Sequence, residues 1–262
     1  MKTIISLTTI PPRLPYLRET LLSLQSQTAK IDRIILWMPA SYRRRDLNHI
    51  SLPVIDLPVE LISCSVDYGP ATKLLPALSM FADDDDVRII YCDDDRYYHP
   101  SWAQTLMSLS DRHPNDCIAG WGMTVKRAQF FAMKLRRHDV RRILRPFWWK
   151  SVKAEMPESQ EFIDIAEGFS GVLVKPKFFT KDVFCIPDTH WMVDDVWFSG
   201  HLAKNGIKIR RAHSKFSELL SKDLASARIS ALLDFKDQNT DRHEANMRCI
   251  RYFQETYHVW SQ

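Results

Sequence analysis

The chain has 262 residues, 45% hydrophobic and 26% charged, with a formal net charge of +4. Those values are globular and exclude disorder and fibrous repeats; the charge is too small to argue for nucleic acid. Only 7 residues are glycine, against a usual share of roughly 7%. Gly120 and Gly122 open a GxGxxG frame whose third place is Val125, and no GxxxxGK[ST] exists, so a glycine-lined phosphate cradle is excluded. Five cysteines without CxxC spacing argue against zinc knuckles and a disulfide framework, and for free thiols in a reducing compartment.

In chain order, Thr3–Leu7 is a β-rich run too short for a signal-peptide core, and Leu14, Leu17, Leu21 and Leu24 recur at helical spacing. Arg33–Met38 and Val87–Cys92 are near-continuous apolar runs of the kind buried in parallel sheets, with Leu61–Val66 another strand. Ala71, Leu74, Leu75, Leu78 and Phe81 mark a helix between them. In the second half, Trp102–Leu109 reads as helix, Phe169–Val174 as strand, Val193–Leu202 as helix and Ile207–Arg211 as strand, before a helical tail over 241–257. Interleaved strands and helices predict an α/β fold with a mostly parallel sheet. No run approaches 18 apolar residues, so no membrane-spanning helix is expected.

Two acidic clusters flank the strand at 87–92. Asp83–Asp86 enters it and reads as a solvated turn; Asp93–Asp95 leaves it, at the carboxyl end where open α/β sheets bind ligands. Three adjacent carboxylates repel one another and call for a cation, and their hard oxygens suit Mg²⁺ or Mn²⁺. Such an ion would replace the missing glycines as the holder of a diphosphate.

At these residues the chain resembles the GT-A glycosyltransferases, whose signature is a DXD-type triplet after a hydrophobic strand, here Ile89–Asp95. Ser6–Leu14 (SLTTIPPRL) resembles the nucleotide-binding first strand and loop of bacterial sugar transferases. Asp67–Lys73 (DYGPATK) resembles the segment that presents a basic residue to the nucleotide. Glu167–Gly171 and Asp194–Trp197 resemble the acceptor-side strand and the "ED" motif, with Asp194 where Glu is common.

The resemblance spans residues 3–211 and implies a GT-A fold over 1–262: a sugar-nucleotide half (1–98), an acceptor half (99–215) and a helical tail (216–262). It implies donor contacts from Thr8, Pro11, Arg13, Tyr68, Gly69, Lys73, Asp93 and Asp94, and Mn²⁺ or Mg²⁺ on Asp93 and Asp95. His213 is the foremost candidate for a third ligand; His243 and His99 are lesser ones. Asp195 is the expected general base, with Asp194 positioning the acceptor beside Gly168, Ser170, Gly171 and Trp197. The expected donor is a nucleotide-sugar, foremost a UDP-sugar. The expected acceptor is a saccharide or lipid-linked saccharide of cell-surface polysaccharide or glycolipid synthesis, with inversion at the anomeric carbon.

Residues 126–153 carry ten Lys or Arg against one acid, interleaved with Phe130, Phe131, Phe147, Trp148 and Trp149. This stretch fits an anionic membrane face or, equally, an anionic or lipid-pyrophosphate acceptor; the expected location is cytoplasmic, with the inner membrane face as a peripheral site, and no nucleic-acid partner is expected. The rival functions are a metal-dependent nucleotidyl- or phosphotransferase and a non-catalytic basic binding module. The first lacks the expected Gly-rich loop and the second leaves both acidic motifs unexplained.

Overall fold

The computed structural model describes residues 1–44, 47, 58–130, 161–212, 221–224 and 242–260. Four strands build the first half of the sheet: β1 (Lys2–Thr8), β2 (Arg33–Pro39), β3 (Glu60–Cys64) and β4 (Val87–Tyr91). They are parallel, with Ile5 level with both Ile34 and Ile90. The second half adds β6 (Cys117–Ala119), β8 (Phe162–Ile163), β10 (Val172–Val174) and β11 (Ile209–Arg211). The eight strands run in the order β3-β2-β1-β4-β10-β6-β11-β8. β10 is antiparallel to β4 and β6, and β8 to β11, so the sheet is mostly parallel with two reversed strands. Two small sheets join β5 (Arg96–Tyr98) to β12 (Ser221–Asp223) and β7 (Gly122–Met123) to β9 (Ile165–Ala166).

The period of two along each strand divides the core. Ile5, Leu7 and Ile90 face α1 (Leu17–Gln25) and α3 (Trp102–Arg112), packing on Leu21, Leu24, Trp102 and Leu106. Ile4, Ile89 and Tyr91 face the other way, towards α2 (Leu75–Met80), α4 (Asp194–Lys204) and α5 (Arg242–Tyr257). Burial on both faces explains why these strands read as continuous apolar runs.

Prolines account for two departures from the predicted helices. Where Leu14–Leu24 reads as one helix, Pro11, Pro12 and Pro15 sit in a 3-10 turn (Pro11–Tyr16) and α1 starts only at Leu17. Likewise 71–81 divides into a 3-10 turn (Gly69–Lys73) and α2, with Pro70 and Pro76 each in a first turn, where a missing N–H costs nothing. The run 169–174 is a 3-10 turn (Gly168–Ser170) followed by β10. The break is at Gly171, whose φ of +85° suits glycine and where a Cβ would lie 2.2 Å from the Trp102 ring. The predicted tail helix is α5, described from Arg242 and ending at Tyr257 as expected.

Candidate functional site

The reversal of β10 builds the site. Because Val172 pairs with Tyr91 in antiparallel register, the amino end of β10 arrives beside the carboxyl end of β4. Residues 167–171 thereby meet Asp93–Asp95. The first turn of α4 supplies Asp194 and Asp195 to the same place, and the turn at 69–73 supplies Lys73.

Lys73 is buried, its ammonium 2.5 Å from Asp93 Oδ1 and 2.8 Å from Asp194 Oδ2. One cation thus ties the two acidic motifs together, although Asp93 and Asp194 are 101 residues apart in sequence. Burial works to raise the Asp93 carboxyl, but the Lys73 ammonium overrides it and holds Asp93 below the usual range. The Gly168 amide donates to Asp195 Oδ1 at 2.9 Å. A Cβ on Gly168 would lie 2.8 Å from Lys73 Nζ and 3.3 Å from both Asp195 Oδ1 and Asp93 Oδ1, so glycine alone lets these groups converge.

Arg13 closes the triplet from the other side, 2.6 Å from Asp94 Oδ1 and 3.1 Å from Asp95 Oδ2. Asp94 also accepts from the Thr9 hydroxyl, and its carbonyl accepts from Thr20 Oγ1 at 2.8 Å. Asp94 is therefore buried and committed within the protein. Asp95, less enclosed, is pushed up to about 7 by burial and then by the charges of Asp93 and Asp94, against Arg13.

Asp195 is likewise raised to about 7, by burial first and Asp194 second, with Lys73 and Arg242 opposing. Arg242, at the start of α5, brings Nη2 to 3.5 Å from Asp195 Oδ2 and 3.8 Å from Asp194 Oδ1. Glu167, next to Gly168, is raised to about 8 by burial and by Asp195.

The structure brings together Arg13, Lys73, Asp93, Asp94, Asp95, Gly168, Asp194 and Asp195, but alters several expected roles. Asp194, expected to position the acceptor, has no side-chain exposure and lies against the Lys73 ammonium. Trp197 is 1% exposed, donates to the Val183 carbonyl at 2.8 Å and stacks on Tyr252, which makes it a core residue. Thr8 donates to the Trp37 carbonyl, so Thr9 is the threonine that reaches the triplet. Pro11 is buried in the 3-10 turn.

Tyr68 is half-buried, edge-on to Phe184, and Gly69 (φ +61°) donates to Asp67 Oδ1 with its α-carbon against Trp191. Ser170 Oγ donates to the Glu167 carbonyl at 3.0 Å, shaping the turn, and Gly171 leaves room for Trp102. His213 and 131–160, which hold most of the basic stretch, lie outside the described residues. His99 bonds Ser101 in the turn after β5, and His243 is exposed.

Sequence reasoning missed Glu167 as a titrating group and Arg242 altogether. Glu167 was signalled by its place beside Gly168, whereas an arginine in a polar tail carries no signal until the helices pack.

Among the described residues no three His, Cys, Asp or Glu side chains are gathered as a closed metal site. The chemistry of Asp93 and Asp95 nevertheless suits a hard divalent ion. Both present carboxylate oxygens, Asp95 stands in excess negative charge, and Mg²⁺ in particular is held by one or two carboxylates plus substrate phosphates.

A Rossmann-like sheet with acidic groups at its switch edge defines a GT-A-type α/β protein. The sequence of residues 12–172 matches the model of glycosyl transferase family 2, and the chain belongs to that family of glycosyltransferases. Membership decides against both rival functions.

Among solved structures, the fold is similar to S. aureus TarS residues 1–349 (12% identity, 98% of this chain and 72% of that one, TM-score 0.51). It is also similar to the same protein in complex with UDP (12% identity, 97% and 72%, TM-score 0.50). Against the longer TarS structure, all of this chain aligns with 44% of that one, at 12% identity and TM-score 0.49. No curated protein matches the chain significantly in sequence. No helix among the described residues is long and apolar enough to cross a membrane.

Proposed function

We propose that this glycosyltransferase moves a sugar from a nucleotide-sugar, foremost a UDP-sugar, to a hydroxyl of a saccharide or lipid-linked saccharide, with inversion. The pathway would be cell-surface polysaccharide or glycolipid synthesis. The observation that carries the reading is the meeting of Asp195 with the Asp93–Asp95 edge at Gly168. A carboxyl raised to about 7 beside the place for a diphosphate is poised as a general base near neutral pH. The UDP bound by TarS, which shares this fold, supports the choice of base.

In the transfer, Asp195 takes the proton of the acceptor hydroxyl as its oxygen bonds to the anomeric carbon. The bond from that carbon to the phosphate oxygen breaks, and its electron pair leaves with the nucleoside diphosphate. Attack from the side opposite the leaving group inverts the centre. Asp93 and Asp95 would hold Mn²⁺ or Mg²⁺, which when bound neutralises charge on the departing diphosphate. Lys73 keeps Asp93 ionised and aligned with α4, and Arg13 holds the Asp94 side chain in place. The basic stretch at 126–153 would hold the enzyme near an anionic membrane carrying a lipid-linked acceptor.

The test is release of free nucleoside diphosphate from UDP-, GDP- and dTDP-sugars, with Asp195→Asn beside the unaltered chain. The expected result is release from a UDP-sugar, abolished by EDTA and falling by about 10²-fold or more in Asp195→Asn, with donor binding retained. Near-normal turnover of Asp195→Asn would remove that residue from the role.

A further inference from the structure

We propose that Arg242 is a positioning residue for Asp195, which makes the C-terminal helix a working part of the catalytic centre. The inference rests on the reading of Asp195 as the base. A carboxylate on the first turn of α4 can rotate about two side-chain bonds, and one hydrogen bond does not fix its plane. Here the two oxygens have different partners on different elements: Gly168 N–H holds Oδ1 at 2.9 Å, and Arg242 Nη2 faces Oδ2 at 3.5 Å. The same guanidinium lies 3.8 Å from Asp194 Oδ1, so it spans two successive carboxylates. A planar, permanently charged fork suits that task better than the single point charge of a lysine.

α5 is held where this requires. At Gly200, in the middle of α4, a Cβ would lie 2.4 Å from the Phe253 ring, so glycine lets the two helices approach. Tyr252 stacks on Trp197 with centroids 5.9 Å apart, and Phe253 meets His201 edge-on at 5.3 Å. These contacts lie on the stretch of α4 that begins with Asp194 and Asp195, so moving α5 moves Arg242 relative to the base. Other charged groups face Asp195 as well: Asp194 from its own helix, Lys73 from the 69–73 turn, Asp93 from the end of β4 and Glu167 from the end of β9. Of the cations among them, Lys73 is engaged by Asp93 and Asp194, and Arg242 is the one set against Asp195 Oδ2.

The experiment measures UDP release from a UDP-sugar, with water as acceptor, by the full chain and by Arg242→Gln, Arg242→Lys, Arg242→Ala, Asp195→Asn and the double variant Asp195→Asn/Arg242→Gln. Arg242→Gln is expected to lower kcat by roughly tenfold or more while donor KM stays within about twofold. Arg242→Lys recovers part of the rate, and added guanidinium ion rescues Arg242→Ala but not Asp195→Asn. The double variant is no slower than Asp195→Asn alone, because both changes remove one function. Unchanged kcat in Arg242→Gln, no guanidinium rescue, or additive losses in the double variant would each overturn the inference. If Asp195→Asn turns over normally, the reading of Asp195 as base fails instead; if it is inactive while Arg242→Gln is normal, only the role of Arg242 falls.

Discussion

Lys73 and Asp195 show what a side chain owes to its surroundings. A buried lysine without partners would lose its charge; between Asp93 and Asp194 it is held protonated, its ammonium raised well above the ordinary value despite burial. Asp195 is raised as well, from near 4 to about 7, through burial and Asp194, which for an acid favours the neutral form. Two consequences follow from that shift. As a base, Asp195 must be ionised, so kcat should rise about tenfold per pH unit below pH 7 and level off above it, a limb absent from Asp195→Asn. For stability the sign is reversed: between pH 4 and 7 the native state binds more protons at this site than the unfolded chain, so its contribution is lost as pH rises through 7. Asp195→Asn should therefore melt no lower than the unaltered chain at pH 8, as thermal unfolding would show. A lower melting temperature at that pH would mean that the charged form is stabilised in the fold. Asp93–Asp95 was legible in the sequence because it follows an apolar strand at its carboxyl end, where open α/β sheets bind ligands. The division of labour between Asp194 and Asp195 was not, since it depends on which of two neighbours points at Lys73.

Local chemistry set most elements, and its exceptions trace to named residues. The strands at 33–38 and 87–92 were readable because they are buried on both faces, and the starts of α1 and α2 slipped where prolines favour a 3-10 turn. The strands β7, β8 and β9 escaped notice, since two residues carry no period. Gly200→Ala places a methyl group against Phe253, and overpacking of this kind typically costs about 1–3 kcal/mol. A lower melting temperature is expected, with slower transfer but retained UDP binding because Arg242 shifts with α5. Phe253→Leu in the same chain should relieve both effects. Full activity in Gly200→Ala would show that α5 can move without disturbing the site.

In the whole molecule, the proposed diphosphate place lies among elements far apart in the chain, so a donor should stabilise the fold as a unit. A ligand at about a hundredfold its Kd stabilises by about 2.7 kcal/mol. UDP is expected to raise the melting temperature with Mn²⁺ present and much less in EDTA, and Asp95→Asn should erase that difference. Equal shifts with and without the ion would remove Asp95 from metal binding. The alternation of strands and helices, the exclusion of a glycine-rich phosphate loop and the two acidic motifs could all be read before folding, because each is written in neighbouring residues. Folding was needed to set Lys73 between those motifs, to bring them together at Gly168 and to carry Arg242 in from the far end of the chain. Those contacts follow from the reversal of β10 and the packing of α5 on Gly200, and sequence spacing holds no record of which distant charges burial will bring together.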